Sequence, residues 1–473
     1  MTDDTTPAPP KPAPSAPKGE GSLSAPMRHP IAWRDPAYYD MAAIEKEMER
    51  VFDICHGCRR CFNLCDSFPK LFDMIDEGPT GELDGVPKEK YADVAEACTL
   101  CDMCFMTKCP YVPPHEFDLD FPHLILRYRA AKRKQGGGEF IREQLGETDR
   151  NGKLAAPVAG IANWATAREN TPLRGFLEAI AGIDREVELP KYHSRTARDR
   201  LKTPTAASPE GPAFGQRKVL IYATCTAEYN APETAEAAMR VLARQGVEAQ
   251  VLYPECCGMP QLEAGDLANV AHRAERVARV FEPWLDQGYD VVALTASCGL
   301  MLKFEWPLMV PENAAVKRLA AATRDISQYM VELNRAYGLA PGLSPVPGGV
   351  TVHQACHSRA QNMGAKSAEM LRLIPETKVD IVERCSGHGG TFGVMKKTRP
   401  MAVKVGKPAA RQVAQKANGV ICSDCPLACK HLGQILADEA GEKPDAPAAP
   451  RQAHPIEILA QAYGLMEAPH AGR

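Results

Sequence analysis

Lys218-Val219-Leu220-Ile221-Tyr222-Ala223-Thr224-Cys225 is the stretch on which the fold turns. A short apolar run of this kind reads as a strand buried on both faces. It ends at a cysteine. Pro232 to Gln245 then reads as a helix, with proline near its start and Gly246 past its end. Val247, Ala249, Val251 and Tyr253 alternate as a second strand that leads to Cys256-Cys257-Gly258. After a long helix, the apolar segment 291–296 leads to Cys298. The order then repeats. Residues 350–355 lead to Cys356, a helix covers about 365–374, residues 379–382 lead to Cys385-Ser386-Gly387, and Val420-Ile421 leads to Cys422 and Cys425. Strands alternating with helices imply parallel strands and right-handed crossovers. Each strand delivers its cysteine past its carboxyl end, the usual binding edge of an open α/β sheet. The reading is an α+β multidomain chain with a duplicated α/β unit, copies at 218–340 and 341–437. The Ala- and Pro-rich stretch 438–473 is expected to be a fraying tail.

Upstream lies a different pattern. Cys55-x2-Cys58-x2-Cys61-x3-Cys65 is followed by Cys98-x2-Cys101-x2-Cys104-x4-Cys109-Pro110. Two such runs are the signature of two [4Fe–4S] clusters, the fourth cysteine of each run ligating the other cluster. One cluster is therefore assigned Cys55, Cys58, Cys61 and Cys109. The other takes Cys98, Cys101, Cys104 and Cys65. Structural zinc sites use two separated pairs instead. Helical spacing at Met41, Ile44, Met48 and Val51, and helices expected over 87–98 and 120–134, predict an all-helical ferredoxin-type domain at 40–134. Residues 1–30, rich in Pro and Ala, read as a disordered tail. After Gly136, Gly137 and Gly138, residues 135–217 read as a helical spacer in which Trp164, Leu173, Phe176 and Leu177 are core or a partner contact, core being the preferred reading.

The chain has 473 residues, 17 cysteines and a formal charge of -3. That balance excludes nucleic acid as the main partner. Mean hydropathy is -0.29, and no apolar run suggests a spanning helix or a secretory signal. Clustered cysteines in such a chain read as metal ligands in a reducing compartment. No P-loop, nucleophile elbow or His-Glu-x-x-His motif is present, and the glycine-rich 387–393 lacks dinucleotide spacing. Cys429 reads as a buried free thiol. His353, His357 and His388 read as hydrogen-bonding or surface groups, not ligands.

Two further sets remain: Cys225, Cys256, Cys257 and Cys298, and Cys356, Cys385, Cys422 and Cys425. A cysteine, then Cys-Cys-Gly, then Cys-x2-Cys resembles the cassette of heterodisulfide-reductase-like iron–sulfur subunits. Two ferredoxin-type runs before two such cassettes resemble the C subunits of anaerobic glycerol-3-phosphate dehydrogenases, and the iron–sulfur subunits of glycolate and lactate oxidising complexes. The segment from Arg384 to Gly393 fits the same resemblance. Met301 and Ser386 stand where the cassettes otherwise carry a cysteine, so each keeps four thiols, enough for a cubane cluster or a zinc ion. An iron–sulfur or zinc centre is expected in each. The resemblance implies an electron-transfer subunit, cytoplasmic or peripheral on the inner face of the plasma membrane. It would pass electrons from a flavoprotein dehydrogenase, acting on glycerol 3-phosphate or a 2-hydroxy acid, toward a quinone. No flavin or nicotinamide site is expected in this chain. The alternatives are a thiol–disulfide or heterodisulfide reductase acting at a cassette, and a zinc-containing scaffold or sensor.

Overall fold

The computed structural model describes residues 26–203, 205–441 and 448–467. The expected disordered tail falls largely outside these residues. Its last part does not: Met27 N–H donates to Pro113 O, and Arg28 is buried against three carboxylates. Arg28 binds Asp102 at 2.6 Å, Asp120 at 2.9 Å and Glu305 at 3.0 Å, and its guanidinium lies 4.4 Å from the Phe105 ring centre. Asp102 sits inside the second cysteine run and Glu305 in the first α/β unit, so one cation ties the two together.

From Pro36 to Lys134 the named elements are helical. The helix Met41–Cys58 opens on Asp40, whose carboxylate accepts from Ala42 and Ala43 N–H, and closes at Arg59 in the left-handed region. It packs on Phe121–Lys134 through Ile44, Met48, Val51 and Phe52, all buried. The spacer is helical too, but the core assignment fails for Trp164 and Phe176, which are 64% and 59% exposed. Leu154, Ile161 and Ile180 of the same spacer are exposed as well.

Among the described residues, eight strands form two four-stranded parallel sheets. In the first, β1 (Lys218–Tyr222), β2 (Glu248–Leu252), β3 (Asp290–Ala293) and β4 (Thr323–Asp325) lie in the order β2-β1-β3-β4. In the second, β5 (Val350–His353), β6 (Val379–Val382), β7 (Val420–Cys422) and β8 (Arg451–Ala453) lie in the order β6-β5-β7-β8. Strand order reverses between β1 and β3, and between β5 and β7. At such switch points the carboxyl ends splay to leave a crevice.

The expected C-terminal tail is corrected here. Arg451–Ala453 completes the second sheet against β7, and Pro455–Ala462 is a largely buried helix with a capping box from His454 and Glu457. That helix packs on Pro232–Arg244 of the first unit, as Ile326–Tyr337 of the first unit packs on Lys366–Leu371 of the second. The seam between units is polar and sealed. Asp424 accepts from Ser358 Oγ at 3.0 Å and from the Ser367 hydroxyl, and its carbonyl accepts from Ala296 N–H at 3.0 Å. His454 Nε2 donates to Leu294 O at 2.9 Å.

Candidate metal centres

Cysteines of both α/β units stand just past strand ends, and the local backbone explains why they gather. Cys225 follows β1 by three residues, in a turn where Thr224 has φ 65°. Cys256 and Cys257 follow β2, and Gly258, at φ 84°, turns the chain into the next helix. Cys298 follows β3 on the short helix Ala296–Leu300. Cys225 and Cys256 sulfurs are 3.9 Å apart. Cys256 is held well below the usual thiol range by hydrogen bonds from Cys225 and Cys257, while those two are pushed up. This set therefore concentrates negative charge on Cys256. The spacer helix Thr148–Ala155 lies against it: Thr148 neighbours Cys225 and Cys256 without a hydrogen bond to either, and Asp149 accepts from Cys256 N–H at 2.8 Å. Gly152 passes so close to the Tyr229 ring that a Cβ would sit 2.4 Å from it. Nothing in the sequence flagged Thr148 or Asp149, because their link to the cassette is purely tertiary.

Cys356, Cys385 and Cys425 follow β5, β6 and β7 in the same way. Burial, then the charges of Cys101, Cys385 and Cys425, pushes the Cys356 thiol up. Cys422 does not join them. It is a strand residue, paired with Val352 and Ala453, fully buried, with Cys429 and Asp424 as its nearest charged neighbours. The register explains this. Ile221, four residues before Cys225, pairs with Val292; Val352, four before Cys356, pairs with Cys422. Cys422 thus occupies the place of a core valine, and the Cys-x2-Cys spacing hides a strand end. Met301 is likewise buried outside the set, whereas Ser386 lines the same cavity as Cys385. Cys429 is buried, its thiol 3.6 Å from Ile421 O.

The ferredoxin-type cysteines also meet across the sequence. Cys55 lies beside Cys109, Cys61 and Cys58, which line one small pocket with it. Cys65 lies beside Cys101 and Cys98, and Cys104 beside Cys101, Cys98 and Cys61. Cys101 in turn faces Cys385, its thiol pushed up to about 12 by burial and that charge. A cavity of about 1200 Å³ is lined by Cys65, Cys98 and Cys101 and by the cysteines of both α/β units named above except Cys422 and Cys429. One imidazole spans these groups: His357 Nε2 donates to Leu100 O at 3.4 Å, and Nδ1 accepts from Ser297 Oγ at 2.8 Å. His353 is buried, donating to Arg384 O at 3.0 Å, and so is no surface group.

The donor chemistry fits a metal–sulfur core. Backbone N–H groups aim at the sulfurs: Gly387 at Cys385 (3.3 Å), Ser67 and Phe68 at Cys65, Tyr111 and Val112 at Cys109, Leu427 and Ala428 at Cys425. Such donors stabilise anionic sulfur, while burial and mutual repulsion oppose it in the absence of a cation. Among the described residues, no three His, Cys, Asp or Glu converge tightly enough for a single ion. Thiols spread around a cavity instead leave room for a multi-atom core.

Residues 219–303 and 350–431 each match the cysteine-rich domain CCG, and these two matched regions are called CCG domains below. It is similar to the C subunit of the anaerobic glycerol-3-phosphate dehydrogenase of Escherichia coli (strain K12), at 28% identity over 323 residues, covering 67% of this chain and 76% of that protein. It is also similar to lactate utilization protein A of Geobacillus thermodenitrificans (strain NG80-2), at 29% identity over 46% of this chain and 98% of that protein. The B subunit of the fumarate reductase (CoM/CoB) of Methanothermobacter marburgensis matches at 28% over 47% of this chain and 43% of that protein. The resemblance read from the cassettes stands. No helix among the described residues is long and apolar enough to cross a membrane.

Proposed function

We propose that this chain is the iron–sulfur electron-transfer subunit of a multi-subunit oxidoreductase. The observation that carries the reading is the convergence of distant cysteines into buried sets around shared cavities, with backbone N–H donors aimed at their sulfurs. Cys55, Cys58, Cys61 and Cys109 would hold one [4Fe–4S] cluster, and Cys65, Cys98, Cys101 and Cys104 a second. Cys225, Cys256, Cys257 and Cys298 would hold the centre of the first CCG domain. Cys356, Cys385 and Cys425 would serve the second, with Cys422 outside it. Bound clusters supply one-electron chemistry at potentials set by charge, hydrogen bonding and exposure. The chain's own groups supply that tuning. Arg129, which donates to Ala95 O at 2.8 Å, is a fixed cation near Cys98. Asp149 of the spacer helix fixes the Cys256 backbone N–H.

The partner would be a flavoprotein dehydrogenase acting on glycerol 3-phosphate or a 2-hydroxy acid, and the acceptor a quinone at the inner face of the membrane. The exposed Ile161, Trp164 and Phe176 of the spacer support a life in an assembly, since exposed apolar patches mark interaction surfaces. Anoxic purification with iron, acid-labile sulfide and EPR analysis tests the reading. At least eight irons per chain and dithionite-reducible signals are expected. Fewer than eight irons with no reducible signal would overturn it.

A second reading has one observation in its favour: the Cys256 and Cys225 sulfurs lie 3.9 Å apart, with hydrogen bonds holding the Cys256 thiol below its usual range. A thiol–disulfide reductase would use it as nucleophile. Disulfide turnover by the chain with a one-electron donor, lost in Cys256→Ser with ferredoxin-type signals intact, would favour this reading. Turnover that survives the change would reject it.

A further inference from the structure

The two CCG domains present unequal donor sets to the cavity. The first offers four thiols. The second offers Cys356, Cys385 and Cys425, because Cys422 belongs to the β7 ladder and is absent from the cavity wall. Three thiols leave a metal–sulfur core short of one protein donor. The wall of the same cavity also carries an imidazole nitrogen without a partner. His388 lines the same cavity, three residues after Cys385, and its Nε2 is sealed from solvent without a hydrogen-bond partner. A buried unpaired imidazole nitrogen is costly and calls for an explanation. Its neighbour does not supply one: the His431 ring is 6.1 Å away and turns its own Nε2 toward Ala402 O at 3.5 Å.

The loop that carries His388 is rigidly placed. Gly387 has φ 76°, and a Cβ there would meet Ala402 O at 2.0 Å. Gly389 has φ 52° and abuts Thr99, beside the second cysteine run. Ser386 is the weaker candidate for the fourth donor, since its Oγ lies 3.5 Å from His388 N–H as acceptor and oxygen is a harder donor than sulfur or imidazole.

We infer that His388 is the fourth protein ligand of the second CCG centre, in the role that the cassette spacing gives to Cys422. The inference rests on the reading of a metal–sulfur centre in that domain. A Cys3His set carries one negative charge fewer than the four thiolates of the first domain. Histidine ligation raises the potential of iron–sulfur centres, so the two domains hold centres of different potential.

The test uses the full chain, purified anoxically with its native metal. In wild type, pulsed EPR of the reduced centre is expected to show a nitrogen coupling too strong for a hydrogen-bonded amide, and metal-edge X-ray absorption to show a nitrogen ligand. Both signatures vanish in His388→Cys, which retains the metal through a fourth thiolate. His388→Ala loses the metal of that one centre. Cys422→Ser keeps metal content and spectrum unchanged. Retention of the full signature in His388→Ala, or loss of the centre in Cys422→Ser, would overturn the ligand assignment alone. A wild-type chain with no metal beyond the eight ferredoxin-type irons would overturn the underlying reading of the second domain as well.

Discussion

The two CCG domains share one topology and one strand register, yet they differ where the cysteines are. The first has four thiols, the spacer helix alongside and a charged clamp through Arg28 and Glu305. The second has three thiols, a glycine loop wedged against Thr99, and a histidine on the wall. Duplication fixed the scaffold, since both sheets need buried strands in the same order. It left the loops past the strand ends free to diverge, because their residues answer to the centre they hold and not to the core.

The largest expected effect separates the two centres. Cys257→Ser should remove the metal of the first domain and leave the second loaded, and Cys385→Ser should do the reverse. Metal counted per chain and EPR check this. Loss of both centres in either variant would mean that the domains share a single centre. Next comes the clamp. Arg28→Ala leaves the buried Asp102 without its cation and Asp120 and Glu305 with His123 alone, which should cost about 3–5 kcal/mol in denaturant unfolding under anoxic conditions. His357→Ala, which removes the second domain's hydrogen bonds to Leu100 and Ser297, should cost only about 1–2 kcal/mol. Equal losses would erase the asymmetry in how the domains grip the cysteine run.

A third comparison uses the glycine that follows the cysteines in each copy. Both have positive φ, so alanine strains both by roughly 1 kcal/mol or more. Gly387→Ala also collides with Ala402 O at 2.0 Å, whereas the nearest atom at Gly258 is Arg273 Cδ at 3.4 Å. Overpacking adds about 1–3 kcal/mol at Gly387 only. Similar unfolding midpoints for the two variants would contradict this.

Glu263, on the helix after Cys257, offers a pH signature specific to the first domain. Burial in the cavity wall raises its carboxyl to about 7, with Arg129 and Arg142 partly opposing. The native state keeps its proton up to that pH, while the unfolded chain loses it near 4.5. Stability should therefore fall as pH rises from 4.5 to 7, by on the order of 1–3 kcal/mol in all, and level off above. Glu263→Gln should flatten that slope in unfolding midpoints taken from about pH 5 to 8; an unchanged slope refutes the assignment. The smallest effect belongs to Cys422→Val, a near-isosteric swap in the β7 ladder, expected to cost less than about 1.5 kcal/mol with no metal lost.

Strand and helix alternation, the duplication and the gathering of cysteines past strand ends were legible in the sequence, because buried parallel strands must be apolar runs. β4 and β8 were not. Thr323-Arg324-Asp325 and Arg451-Gln452-Ala453 are three-residue edge strands that satisfy only one neighbour, so no apolar run marks them. The Pro- and Ala-rich approach to β8 made the end of the chain read as a tail. The place of Cys422 in the β7 ladder was not legible, because spacing along a chain does not report which residues are still inside a ladder. Trp164 and Phe176 are large apolar residues that read as core by type; only their neighbours in space reveal that they are uncovered. The roles of Thr148, Asp149 and Arg28 depend on partners about 74 to 277 residues away, beyond any local pattern.

The helix Pro455–Ala462 belongs by chain order to the second sheet yet rests on Pro232–Arg244 beside the first, and Ile326–Tyr337 returns the favour. The halves are cross-braced like two arms each gripping the other's elbow. Neither half, expressed alone, would retain the partner that shields its terminal helix, and a truncation after Gly441 would strip a brace from both. The duplicated region is thus an obligate pair, and any attempt to dissect its centres must proceed by point substitution within the intact polypeptide.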